Sequence, residues 1–146
     1  MNLGGSRMAS NSRMLVMRNP SIRSKINSDF FMTNKGFLEI HDVESLDRFL
    51  AQSNETPAIL FKHSNSCGIS ARAHKQMAEV ECPVGIVTVQ DARAVSLEIE
   101  RRFRLSHETP QVLIVRGADL LWNASHYSVS ASAVTEALEQ AAGTKQ

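Results

Sequence analysis

Ala58-Ile59-Leu60-Phe61, continued by Lys62-His63-Ser64-Asn65-Ser66-Cys67-Gly68-Ile69-Ser70, decides how this chain folds. The first four residues form an unbroken apolar run. A run without alternation suits a strand buried on both faces, as in a parallel sheet covered by helices. From Cys67 onward the apolar positions Ile69, Ala73, Met77 and Val80 recur at helical spacing, while Arg72, Lys75, Gln76 and Glu79 face solvent, and Pro83 ends the element. The thiol of Cys67 therefore stands at a helix start. Unpaired backbone N–H groups and the positive end of the helix dipole converge there, and both favour an anionic, nucleophilic sulfur. A dithiol motif would carry its second cysteine three residues on, where this chain has Ser70. The pattern reads as a thiol exchanger with a single working cysteine.

Outward from this unit the chain is regular. Phe37-Leu38-Glu39-Ile40 reads as a short strand, and Asp42 caps a helix with its stripe at Leu46, Phe49 and Leu50. Val84 to Val89 is rich in β-branched residues and reads as a strand. Residues 92 to 104 follow as a helix facing inward through Ala92, Val95, Ile99 and Phe103. Gln111 to Val115 is a fourth strand, joined through Arg116-Gly117-Ala118-Asp119 to Leu120-Leu121-Trp122 as an antiparallel hairpin. Ser130 to Ala142 closes the chain as a helix with Val134, Ala137, Leu138 and Ala141 on one face, and Gly143 stops it.

The order strand, helix, strand, helix, strand, helix, strand, strand, helix is that of a thioredoxin-like α/β fold, a central mixed sheet with helices on both faces. Pro110 stands 43 positions after Cys67 and directly before a buried strand. The likeness to thioredoxin-fold proteins implies a cis Thr109-Pro110 bond and a docking role, with substrate pairing to the backbone of Thr109 while Cys67 attacks its disulfide. The alternative is a trans proline that merely begins a strand.

Composition agrees with one domain: 146 residues, 42% hydrophobic and 21% charged. The formal charge of +1 hides an uneven distribution. Residues 1–35 carry Arg7, Arg13, Arg18, Arg23, Lys25 and Lys35 against Asp29 alone, leaving a net acidic remainder. That remainder, the domain at 36–143, offers no footprint for nucleic acid, and no stretch approaches membrane-spanning length. The basic segment lacks periodicity and reads as disordered: a non-native leader or a start placed too early, with Met32 as the alternative start, or else a targeting segment. Cys67 and Cys82 do not make a secreted-type framework, so reduced thiols and a cytoplasmic location are expected.

Three blocks carry a closer resemblance: His63-Ser64-Asn65-Ser66-Cys67-Gly68-Ile69-Ser70, His107-Glu108-Thr109-Pro110-Gln111-Val112-Leu113 and Ala124-Ser125-His126. Together they resemble the monothiol bacilliredoxins, bacterial thioredoxin-fold proteins of the bacillithiol system. Their usual motif is Thr-Cys-Pro-Ile-Ser; here Ser66 replaces threonine and Gly68 replaces proline. The resemblance implies catalysis by Cys67, which removes bacillithiol from S-thiolated client proteins, with bacillithiol as thiol co-substrate and no tightly bound cofactor. Gly68 leaves the helix entry looser than proline would and lets a ligand approach the backbone. It also brings Cys67-Gly68-Ile69-Ser70 near the Cys-Gly-Phe-Ser motif of monothiol glutaredoxins. That likeness implies glutathione or an iron–sulfur cluster, although Arg116-Gly117-Ala118-Asp119 does not match their glutathione loop. A third possibility is a non-catalytic interaction module.

The other polar candidates each have two readings. Ser70 either hydrogen-bonds the sulfur or supplies polarity to the first turn. Lys62 and His63 either place positive charge near the thiolate and the bacillithiol carboxylates or are solvated strand-end residues. His107 is a general base or a loop residue, and His126 a site or shape-determining residue. His41 and His74 read as structural. Cys82, 15 residues from Cys67 at the far end of the same helix, lies out of reach of a disulfide or a shared metal. Trp122 and Phe103 read as core.

Overall fold

The computed structural model describes residues 36–143, so the basic segment 1–35 and its expected disorder lie outside the described residues. Five strands alternate with four helices: β1 (Phe37–Glu39), α1 (Val43–Gln52), β2 (Ala58–His63), α2 (Gly68–Ala78), β3 (Val84–Thr88), α3 (Arg93–Phe103), β4 (Gln111–Arg116), β5 (Asp119–Ser125) and α4 (Ala131–Gly143). A 3-10 turn, His126–Ser128, links β5 to α4. The sheet order is β1-β3-β2-β4-β5. β3 runs parallel to β1 and β2, whereas β4 is antiparallel to both β2 and β5. This is the expected mixed sheet.

Strand parity divides the core in two. Leu38, Leu60, Val87, Leu113 and Val115 point to one face and pack under α1 and α3 through Leu46, Phe49, Val95 and Ile99. Phe37, Ile59, Phe61, Val84, Ile86, Val112 and Ile114 point to the other, against α2 and α4 through Ala73, Met77, Val134 and Leu138. Both faces are therefore apolar and both covered, which is why β2 and β4 read as continuous hydrophobic runs.

Local chemistry sets the element ends. The Asp42 carboxylate accepts from the Ser45 N–H at 2.9 Å, and the Ser45 hydroxyl lies 3.3 Å from the Asp42 N–H, a reciprocal cap for α1. These bonds, the backbone one foremost, hold the Asp42 carboxyl below its usual range. Gly117 takes φ 59° in the β4–β5 turn, a left-handed conformation that suits glycine. Several ends shift by one residue, and two boundaries differ by more from the sequence reading. β5 extends on both sides of Leu120-Leu121-Trp122, because pairing with β4 overrides the polar character of Asn123 and Ser125. α2 ends at Ala78 rather than at Pro83, the last residues turning through 3-10-type bonds from Glu79 and Val80 to Gln76 and Met77.

Candidate active site

β2 delivers the chain to the C-terminal edge of the sheet, where residues 64–67 turn into α2. Val89 N–H donates to the His63 carbonyl at 2.8 Å, fixing the start of that turn. Gln90 then holds its middle: the amide nitrogen donates to the Ser64 and Ser66 hydroxyls at 2.9 and 3.0 Å, and the amide oxygen accepts from Asn65 N–H at 3.2 Å. Cys67 is the N-cap of α2 in extended backbone conformation, partly exposed, with its side chain making no capping hydrogen bond. A sulfur in that position is presented to solvent beside the unpaired N–H groups of the first turn. Gly68 is exposed, and a Cβ built there would meet nothing within 4 Å, so open space adjoins the sulfur.

The Thr109–Pro110 peptide is cis, as the likeness to thioredoxin-fold proteins implied. Pro110 is buried and Thr109 half-buried, and the Thr109 backbone has no hydrogen-bond partner among the described residues. The Pro110 carbonyl accepts from His126 N–H at 3.0 Å, which joins the loop to the 3-10 turn. His126 itself has φ 55°, and its Nδ1 lies 3.3 Å from Glu108 Oε1. It shapes the rim through its backbone.

Three expected site residues sit differently from the sequence reading. Ser70 is fully buried, so neither first-turn surface polarity nor an open donor describes it; its hydroxyl accepts from Ser64 N–H at 2.9 Å and lies 3.3 Å from His63 Nδ1. Ser70 thus takes an inward place on α2 that the apolar stripe gave to Ile69, and it ties the helix back to the loop. Lys62 does not offer its charge to the thiol. It follows Leu60 by two, so strand alternation sends it to the α1/α3 face, fully buried, with Nζ 3.1 Å from His107 Nδ1 and 3.8 Å from Glu100 Oε2. Burial lowers the Lys62 pKa and the Glu100 carboxylate opposes that shift. His107 Nδ1 also lies 3.0 Å from Glu100 Oε2, so the ring is tied into this network as an anchored loop residue.

His63 points the other way, to the α2 face. Its ring centroid lies 4.9 Å from that of His74, and both rings pack near Phe61. Burial, and then the neighbouring His74, push the His63 pKa down to about 4, while burial lowers that of His74. His63 is therefore neutral near pH 7 and does not supply positive charge to the thiolate. Among the remaining residues, Trp122 and Phe103 join the core as read, and both cysteines are free. Sequence reasoning passed over Gln90 and Tyr127, and read Arg72 and Glu100 only as surface positions of their helices.

Cys67 at the N-cap of α2, the cis Thr109–Pro110 bond beside the sheet edge and the absence of a second thiol within α2 together make up the candidate site. The sequence profile described as monothiol bacilliredoxin BrxC matches residues 38–134. The chain belongs to the monothiol bacilliredoxin family. Solved structures agree on the fold. A protein assigned as an oxidoreductase with a thioredoxin fold is 22% identical, covers 70% of this chain and 93% of its own, and superposes with a TM-score of 0.65. Thioredoxin from Trypanosoma brucei brucei is 10% identical, with 75% and 93% covered and a TM-score of 0.60. Fasciola hepatica thioredoxin is 8% identical, with 70% and 96% covered and a TM-score of 0.58. This bacilliredoxin-family chain is a thiol–disulfide oxidoreductase. No helix among the described residues is long and apolar enough to cross a membrane.

Proposed function

We propose that the protein removes bacillithiol from S-bacillithiolated proteins by two successive exchanges at Cys67. In the first, the Cys67 thiolate attacks the bacillithiol sulfur of the mixed disulfide. The Cys67–bacillithiol bond forms, the protein–bacillithiol bond breaks, and the client leaves as a thiolate. In the second, a free bacillithiol thiolate attacks the adduct, releasing bacillithiol disulfide and regenerating the Cys67 thiolate. The oxidising equivalents leave on the small thiol, so the two electrons balance.

The observation that carries this reading is the setting of Cys67. It caps α2 with no bond to its side chain, Ser70 occupies the place of a resolving cysteine, and Cys82 lies beyond the opposite end of an 11-residue helix. That helix spans about 16 Å, well outside disulfide range. Resolution by a second small-thiol molecule follows. The unpaired Thr109 backbone beside the cis bond supports docking of the disulfide there. Soluble redox partners, a small thiol and thiolated clients, are thus the substrates, and no step calls for a bound metal or prosthetic group.

Glutathione is the competing small thiol, because open space at Gly68 is compatible with either. Intact-mass analysis after separate incubation with bacillithiol disulfide and glutathione disulfide distinguishes them. The expected result is one bacillithiol adduct, mapped to Cys67, with little glutathione adduct. Equal or preferential glutathionylation overturns the bacillithiol reading.

A further inference from the structure

Two side chains outside the exchange chemistry are held beside the docking loop in an arrangement that needs explanation. Tyr127 is 69% exposed, more than the other large exposed hydrophobic residues, Leu97 at 52% and Leu121 at 41%. It is not on a free tether. It follows His126, whose left-handed backbone is uncommon for a residue other than glycine and whose N–H is bonded to the Pro110 carbonyl at 3.0 Å. The turn is closed by the Val129 N–H, which donates to the His126 carbonyl at 3.3 Å, and Val129 is fully buried. The backbone that carries Tyr127 is thereby fixed next to the cis-proline loop.

Arg72 completes the arrangement from α2. Its guanidinium carbon stands 5.9 Å from the Tyr127 ring centroid, and its Nη1 donates to the Val129 carbonyl at 3.2 Å. Arg72 is five residues beyond Cys67, about 7.5 Å along the helix axis and about 140° around it, and its contacts turn it toward the segment that bonds the cis-proline loop. Its charge also has no ion-pair partner among the described residues. Among them Arg48 pairs with Glu44, Arg101 with Glu98, and Arg102 with Glu98 and Asp47, whereas Arg72, like Arg93 and Arg104, has no carboxylate partner and is held by a carbonyl and a ring. Glu108, in the loop that carries the cis proline, is engaged with His126. A guanidinium has five N–H donors in a planar fork that matches a carboxylate, and stacking on an aromatic face pre-organises it. One donor is used here.

We propose that Arg72, stacked on Tyr127, binds a carboxylate of the small-thiol half of the mixed disulfide, and so makes the site selective for an anionic low-molecular-weight thiol. The inference rests on the exchange reading above and names the residues that would give it thiol specificity. Ordering only two side chains that are already tethered keeps the entropic cost of recognition low. Neither group touches the reacting sulfurs; both act by binding.

The test compares exchange rates on two substrates, a bacillithiol mixed disulfide and the neutral bis(2-hydroxyethyl) disulfide, for the wild type and for Arg72→Glu, Arg72→Lys and Tyr127→Ala. The ratio of kcat/KM values, bacillithiol over neutral, should fall about tenfold or more in Arg72→Glu through KM, and less in Tyr127→Ala. Arg72→Lys, which keeps the charge without the fork, should restore part of it. Wild-type selectivity that survives Arg72→Glu overturns this proposal alone. A wild type that reacts no faster with the bacillithiol adduct than with the neutral disulfide overturns the exchange reading and this proposal with it. A merely structural contact between α2 and the turn would lower both rates together and leave their ratio unmoved, which also counts against the proposal.

Discussion

Gly85 and Gly68 belong to the same β2–α2–β3 unit and meet opposite surroundings. A Cβ at Gly85, in β3, would come within 2.7 and 2.8 Å of the Phe49 ring and 3.0 Å of Ile40 Cδ1, whereas one at Gly68 would meet nothing within 4 Å. The first glycine is needed because a helix packs directly on the sheet. The second leaves a gap beside a reactive sulfur. The contrast extends along β2, whose Ile59, Leu60 and Phe61 are sealed in apolar clusters while Lys62 and His63 bring ionisable groups to the edge. One strand thus serves a close-packed apolar interior and, at its end, a buried polar network beside the open helix start.

Gly85→Ala should break the packed side of this contrast. The added methyl has to displace the buried Phe49 ring, and overpacking of this kind costs about 1–3 kcal/mol. Urea denaturation would register it as a lower midpoint at unchanged slope. An unchanged midpoint would mean that α1 can move away from the sheet freely.

Lys62→Met addresses the polar end. The Lys62 side chain is fully buried between Glu100 and His107, and removing one partner of a buried ion pair leaves the other charge uncompensated, which costs about 3–5 kcal/mol when both are buried. Glu100 keeps partial exposure and its contact with His107, so a smaller loss of stability is expected, measured by the same denaturation. An unchanged or higher midpoint would show that the network contributes no net stability.

The pH dependence separates the two regions further. His63 has its pKa lowered from 6.5 to about 4, first by burial, so between those values the unfolded chain takes up a proton that the folded protein does not. Stability is then fully present above pH 6.5 and declines as pH falls toward 4. His74, also lowered by burial, contributes in the same direction. The carboxylates of Asp42 and Glu98 are lowered too, that of Glu98 to about 2 through its Arg101 and Arg102 bonds, and their contribution is lost at lower pH. His63→Gln should flatten the decline in Tm between pH 7 and 5. An identical decline in wild type and variant would place the acid sensitivity elsewhere.

The smallest expected effect is at the open glycine. Proline fits the first position of a helix, and substitution there stabilises chiefly by restricting the unfolded chain, about 0.4–1 kcal/mol. Gly68→Pro should raise Tm slightly. A fall in Tm would mean that the helix entry needs the glycine conformation or its N–H.

Much of the fold was legible because each element had its own period: the apolar runs of β2 and β4, and the helical stripes of α1 and α3. The same property hid the site's orientation. In a strand buried on both faces an unbroken apolar run conceals parity, so Lys62 and His63 look like neighbours serving one loop when they point to opposite faces. Ser70 was legible as a residue but not as a buried tie. Arg72 and Tyr127 are 55 positions apart, and no spacing rule joins a helix arginine to a turn tyrosine. Gln90 is a single polar loop residue whose three bonds to 64–67 exist only in three dimensions.

The central claim is that Cys67 alone carries exchange. Its most direct test is the rate of bacillithiol release from an S-bacillithiolated client by wild type, Cys67→Ser and Cys82→Ser. Activity should vanish in Cys67→Ser and persist at the wild-type level in Cys82→Ser; equal loss in both, or activity surviving in Cys67→Ser, would contradict the one-thiol mechanism.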